Sequence, residues 1–237
     1  MTGEEPSAFW IAIQLMAGLD AELTDIVGRS LRVSLSAVFF ASLIGLPLGA
    51  AMAVYRFPGR RAAVVLLNAL MGLPPVFIGL IVYLALSRSG PLGVLGLLFT
   101  PGAMIIAQTL LITPIVAALS RQIVRGLFEE YREQLCSLGA GPGQMMMTLL
   151  WDGRVMLTTA VMAGFGRAIA EVGAVFIVGG NIAYATRVMT TAISLETSKG
   201  NLALALALGM ILVLMALAVN AGVALLTGAG RARGRLQ

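Results

Sequence analysis

The chain has 237 residues, 59% of them hydrophobic and 11% charged, with a mean hydropathy of +0.95, where an ordinary soluble domain is roughly a quarter charged. Runs such as Leu202 to Val219 have no polar face to turn to water, which excludes a soluble globular fold. The net charge of +5 comes from arginines and a single lysine gathered at the ends of apolar runs, a pattern that sets membrane topology and excludes a nucleic-acid-binding face.

In chain order, Phe9 to Leu19 is a brief apolar segment with Phe9 and Trp10 at its start and Asp20, Glu22 and Asp25 after it. It is about half of the ~20 residues a span needs, so it predicts an amphipathic helix lying in the interface. The start MTGEEPSAFW carries acids where a secretory signal carries bases, and it is not read as a signal peptide. The first span is Leu31 to Tyr55, broken by Gly45, Pro47 and Gly49 and closed by the basic turn Arg56 to Arg61. The second, Ala62 to Leu86, holds Pro74 and Pro75, which predict a kink or a short unwound segment. Such a kink suits a helix that lines a path, and it serves packing equally well. A polar turn, Ser87 to Gly93, leads to a third apolar region ending at Leu119, with Pro101 near its start and Pro114 near its end. Leu92 to Phe99 reads as a separate re-entrant or surface piece.

Between Ser120 and Arg154 the chain turns polar. Phe128 to Leu138 predicts a short helix, Gly139-Ala140-Gly141-Pro142-Gly143 a turn, and Gln144 to Trp151 a second helix, together a compact knob. A fourth span covers Val155 to about Gly180, a polar loop Asn181 to Asn201, and a fifth span Leu202 to Leu226. The expected fold is all-α and integral to the membrane: an N-terminal extracytoplasmic or interfacial segment (1–30), a transmembrane domain (31–226) with its polar loop at 120–154, and a basic tail (227–237).

Five spans place the two ends on opposite sides. With the N-terminus outside, the inside receives Arg56, Arg60, Arg61, Arg121, Arg125, Arg132, Arg154, Arg231, Arg233 and Arg235, and the outside receives Arg29, Arg32, Arg88, Arg187 and Lys199. This distribution obeys the positive-inside rule and puts the polar loop in the cytoplasm. Cys136 then faces a reducing compartment. No tandem repeat is visible.

The chemistry available to the chain is narrow. Histidine is absent, which removes Ser-His-Asp and Cys-His nucleophiles, the H-E-x-x-H zinc site and imidazole proton relays. The acids are scattered, so neither a catalytic constellation nor a metal site is expected. The glycine turn lacks the G-K-[ST] that a phosphate-cradling loop requires, so no nucleotide site or cofactor is expected in this chain.

Two further groups stand out. Arg167 and Glu171 lie near the middle of the fourth span, where an ionised group costs about 2.5 to 3.5 kcal/mol. Four residues apart on a helix, they share a face and can pair, either as a structural lock or as a gate. Ala163, Gly166, Ala170 and Ala174 lie on or near the same face and suit a dimer seam or a narrow pore. The loop Asn181 to Asn201 carries Thr190, Thr191 and other hydroxyls beside Arg187 and Lys199. It suits hydrogen bonding to a docking protein or a passing oxyanion, or it is a solvated connector.

Glu133-x5-Gly139, followed by a run ending near Leu149 and Leu150, resembles the cytoplasmic E-A-A-x3-G-x9-I-x-L-P motif of ABC importer permeases. Gln134 and Leu135 stand where that family has alanines, Leu149 fills the isoleucine position, and Trp151-Asp152 replaces Leu-Pro. The segments Gly72 to Gly93, Leu97 to Leu119 and Gly164 to Gly200 are similar to permeases of the tungstate and molybdate group, the last most of all to the tungstate importers.

The resemblance implies a type I importer permease fold whose polar loop is a coupling helix docked on an ATPase through Glu130, Glu133, Leu138, Gly139, Ala140, Gly141, Pro142, Gln144, Met145 and Met147. It implies a multi-pass protein of the cell inner membrane working as a homodimer. Its partners would be a separate ATP-binding cassette ATPase, which holds ATP and Mg, and an extracytoplasmic binding protein that delivers the anion. Tungstate is the expected substrate, with molybdate or sulfate as alternatives. From another class, an ATPase-independent channel or carrier would use Arg167 and Glu171 as an ion site.

Overall fold

The computed structural model describes residues 8–18 and 21–234. Among them the chain is helical, without strands: α1 (Ala8–Ala17), α2 (Ala21–Val54), α3 (Arg60–Met71), α4 (Pro75–Leu86), α5 (Pro101–Ser137), α6 (Pro142–Asp152), α7 (Arg154–Ile169), α8 (Gly173–Gly179), α9 (Met189–Ser198) and α10 (Leu202–Gly234), with a 3-10 turn at Gly93–Leu95. The residues at 1–7 and 235–237, including most of the acidic start, lie outside the described residues.

Among the described residues three helices are long and apolar enough to cross a membrane: α2, α5 and, in α10, Leu202–Gly222. The pairs α3 with α4 and α7 with α8 pass the same test only when joined across their short breaks, which gives up to five spans. The expected five are therefore three continuous helices and two broken ones. The first break, at 72–74, falls where Pro74 and Pro75 remove backbone donors and push the preceding residues out of helical geometry. Pro75 then opens α4, where a missing N–H costs nothing.

Several expected boundaries move. α2 starts at Ala21 and not near Leu31, so the boundary at 30/31 falls inside a helix. Its 34 residues make about 51 Å of helix, well beyond the ~30 Å of a hydrocarbon core. Gly45, Pro47 and Gly49 do not break it. The two glycines are instead contact points for α5: a Cβ at Gly45 would stand 3.0 Å from Val116 Cβ, and one at Gly49 would run into the Ala117 carbonyl. Ser120 on α5 donates to the Leu46 carbonyl at 2.9 Å beside Pro47.

α5 likewise passes through Pro114 and beyond Leu119, ending only at Ser137. The expected short helix at Phe128 to Leu138 is thus the end of a 37-residue helix and not half of a separate knob. At the other end of the chain α10 runs on to Gly234, so no separate tail begins at 227.

The described residues fall into two compact units. The first takes those within Met1–Ser36, Pro75–Gln108 and Ile169–Ala218; the second takes those within Ala37–Pro74, Thr109–Ala168 and Val219–Gln237. In the first, α4 packs on α8, and Gly173 is placed so that a Cβ would meet Val76 at 2.8 Å. In the second, Ala50, Ala53 and Val54 of α2 pack with Val124 of α5, Met145 and Leu149 of α6 and Leu157 of α7. That cluster fixes α6 against the C-terminal part of α5.

Candidate functional site

In the second unit, α5 ends in a turn set by glycine. Gly139 has φ +72°, a left-handed conformation that glycine adopts without the strain of a Cβ. The Ala140 N–H donates to the Leu135 carbonyl and the Gly139 N–H to the Cys136 carbonyl, both at 3.0 Å, which is the Schellman closure of a helix end. Two residues later α6 starts with Pro142 at its first position, and the Gln144 side chain accepts from the Gly141 N–H at 3.0 Å. Four residues, 138–141, join α5 to α6, which folds back on α5 through Met145 and Leu149.

α6 has two faces. Met145 and Leu149, four residues apart, are buried in the core cluster. Met147 and Trp151, also four apart, are 65% and 69% exposed, and Leu138 at the turn is 82% exposed. Glu130, Glu133, Gly139, Pro142 and Gln144 are exposed as well, while Ala140 and Gly141 are half-buried.

Nine of the ten residues expected at an ATPase interface therefore reach the surface to some degree. Met145 does not: it anchors α6 to α5 and is corrected from a docking to a core residue. Trp151 was missed, because the motif comparison treats its position only as a departure from Leu-Pro. Arg154 lies over its ring, with Cζ 4.7 Å from the centroid, and donates to its carbonyl at 3.0 Å. A tryptophan followed by Asp152 and Arg154 at the end of the polar stretch was the available signal.

In the first unit, the break after α7 is built around Glu171. Helix α7 ends at Ile169, so the helical four-residue spacing expected to place Arg167 and Glu171 on one face does not extend to Glu171. Glu171 is buried, and its Oε1 accepts from the Ala174 N–H at 3.2 Å in the first turn of α8. Its backbone carbonyl accepts the Thr190 hydroxyl at 2.8 Å. Ala174 is fully buried against α4, whereas Ala170 is exposed. In the second unit, Arg167 is half-buried, Ala163 and Gly166 are exposed, and a Cβ at Gly166 would meet nothing within 4 Å.

The segment 181–201 is not a solvated connector. It contains α9, and Thr186, Thr190 and Thr191 are all buried. Thr191 caps α9, its Oγ1 accepting from the Val188 N–H at 3.1 Å, and Ser30 on α2 accepts from the Met189 N–H at 2.7 Å. Arg29 donates to the Arg187 carbonyl at 3.1 Å and the Tyr184 carbonyl at 2.9 Å, and Arg187 reaches Glu22 at 3.4 Å.

Of the four expected docking residues, Thr190 and Thr191 are turned inward with their hydroxyls bonded to backbone groups, and Arg187 is mostly buried. Lys199 stays about half exposed and donates to Glu196 at 2.9 Å. The carboxyl of Glu196 is held below the usual carboxylate range, mainly by that hydrogen bond, with Asn201 adding a second.

A family model for the binding-protein-dependent transport system inner membrane component matches residues 45–228. The chain belongs to this family. The match takes in α3 to α9 whole and spans the Gly139 turn. Over 185 residues the chain is 41% identical to a probable anion ABC transporter permease protein of Haloferax volcanii, covering 76% of this chain and 80% of that one. Over 193 residues it is 39% identical to the tungstate uptake system permease protein TupB of Peptoclostridium acidaminophilum, covering 81% and 85%. The TupB protein of Campylobacter jejuni is 40% identical over 149 residues, covering 63% and 62%. This permease is thus a multi-pass component of the inner membrane with the all-helical fold its sequence implied.

Proposed function

We propose that this permease is the membrane subunit of an ATP-driven, binding-protein-dependent importer of a tetrahedral oxyanion, and that the anion is tungstate. The reading is carried by similarity over most of the chain to proteins named as tungstate uptake permeases. The lack of a G-K-[ST] phosphate loop in the sequence supports placing ATP and Mg on a separate ATPase subunit.

In this proposal two copies of the chain work together. The exposed face of the Gly139 turn, from Glu130 and Glu133 through Leu138, Pro142, Gln144 and Met147 to Trp151, docks the ATPase. Closure of the ATPase pulls on α6, which transmits the pull through Met145 and Leu149 to α2 and α5. Arg167, in the last turn of α7, is a proposed gate residue of the second unit, with Gly166 beside it; Glu171 and Ala170, at the break before α8, are proposed pathway residues of the first. Lys199 remains a candidate contact for the extracytoplasmic binding protein.

Proteoliposomes containing the permease, its cognate ATPase and its binding protein test this. ATP-dependent accumulation of tungstate, exceeding that of molybdate and sulfate, is the expected outcome. Accumulation by the permease alone, without ATPase, would assign it to the channel or carrier class.

A further inference from the structure

The cytoplasmic end of the second unit carries a cleft of about 980 Å³ that shares only Glu133 with the proposed docking face. Six arginines line it: Arg56, Arg60, Arg61, Arg121, Arg125 and Arg132. Only two carboxylates, Glu129 and Glu133, stand among them, which leaves the cleft at net charge +4. Six guanidiniums around one opening repel one another unless an anion enters.

Not all six are available. Arg60 is spent on α2, its Nε and Nη2 donating to the Met52 and Ala53 carbonyls at 2.8 and 2.9 Å. Arg125 pairs with Glu129 at 2.8 Å, and Arg132 rests over the Phe128 ring. Arg56, Arg61 and Arg121 have no ion pair among the described residues, and Arg121 Nε is buried without an acceptor. A buried donor left unsatisfied costs about 1 to 3 kcal/mol. The first turn of α3 adds to the field: it has no acidic residue and no side-chain cap, and Arg60 and Arg61 occupy the end where the helix dipole is already positive.

The cleft also has an apolar side. Ala53, Val54, Val64, Val65 and Phe128 share its lining. Beyond it, Val65 is 68% exposed and Leu66 59% exposed along α3. A free inorganic anion has no use for this wall, whereas an amphiphile matches both halves.

We infer that the cleft binds the phosphate headgroup of an anionic phospholipid, with Arg56, Arg61 and Arg121 holding the phosphate and α3 carrying the acyl chains past Val65 and Leu66. Charge complementarity selects the headgroup, and continuity of the exposed apolar strip with the cleft selects a lipid over free phosphate. The inference stands apart from the identity of the transported anion.

Native mass spectrometry of the purified full chain, titrated with phosphatidylglycerol or phosphatidylcholine, tests it. Phosphatidylglycerol should be retained in preference to phosphatidylcholine, and Arg56→Gln with Arg61→Gln should weaken that binding roughly thirtyfold. The charge-keeping pair Arg56→Lys with Arg61→Lys should retain most of it. Thermal melting verifies that each variant is folded, and Arg121→Gln with the same readout replaces the double variant if that pair does not fold. Equal retention of the two lipids, or wild-type affinity in the folded glutamine variants, overturns the proposal. Displacement of phosphatidylglycerol by millimolar inorganic phosphate overturns it in favour of a free oxyanion, and displacement by the purified ATPase overturns it in favour of a protein partner.

Discussion

Gly79 on α4 and Ala174 on α8 meet backbone to backbone, so closely that a Cβ added at Gly79 would stand 2.8 Å from the Ala174 Cα. This contact seats the short α8 against α4 and leaves Glu171 at the break before it. Gly79→Val should therefore destabilise the protein by about 1 to 3 kcal/mol through overpacking. Gly126→Ala is the contrast: that helical glycine is exposed with nothing within 4 Å, and the substitution should stabilise by about 0.5 to 1 kcal/mol. Thermal melting in detergent reads both, and a wild-type melting temperature for Gly79→Val would remove the contact from the account.

Gly139 sets the reversal between α5 and α6 with φ +72°. A β-branched residue there bears strain of roughly 1 to 3 kcal/mol, so Gly139→Val should lower stimulated ATPase activity of the assembled transporter. Gly139→Asn should be milder, because asparagine tolerates the left-handed region. Equal activity of both variants and wild type would mean that the turn geometry does not matter for docking.

How far this turn was legible in the sequence is instructive. The motif spacing from Glu133 to Gly139 located it, and glycine with proline is the punctuation that ends one helix and starts another. What the sequence hid was continuity: Phe128 to Leu138 looked like a separate short helix of a knob, but nothing between Leu119 and Ser137 stops a helix, so α5 runs on through it. Pro47 was similarly overread as an interruption. A single proline removes one hydrogen bond, and packing of α2 against α5 through Gly45 and Gly49 outweighs that loss.

The hydroxyls of the segment 181–201 misled for a related reason. A threonine in a polar run reads as surface, yet Thr190 and Thr191 satisfy backbone groups in place of water. Thr190→Val should cost about 1 kcal/mol by leaving the Glu171 carbonyl without its donor. Lys199→Glu should leave melting close to wild type and lower stimulation by the binding protein. If Thr190→Val left melting unchanged and lowered that stimulation instead, the threonine would be a docking residue after all.

Glu196 provides a pH signature. Its folded carboxyl titrates below the usual value of 4.5 because Lys199 donates to it. The stability this contributes is complete above the unfolded value and is lost as pH falls from about 4.5 through the folded value. Melting of the wild type should therefore decline with acid in that window, and Glu196→Gln should flatten part of the slope. Identical slopes for the two proteins would contradict the assignment.

The central claim is that the exposed face of the Gly139 turn is where an ATPase drives this permease, and Leu138 is its most exposed apolar residue at 82%. The direct measurement is affinity purification of the tagged chain from its native membrane, comparing wild type with Leu138→Asp. The account predicts that the wild type recovers an ATP-binding cassette ATPase in stoichiometric amount and that Leu138→Asp, folded by thermal melting, recovers little or none. Recovery of the ATPase in equal amount by both proteins, or its absence from a wild-type preparation that still transports tungstate, would contradict it.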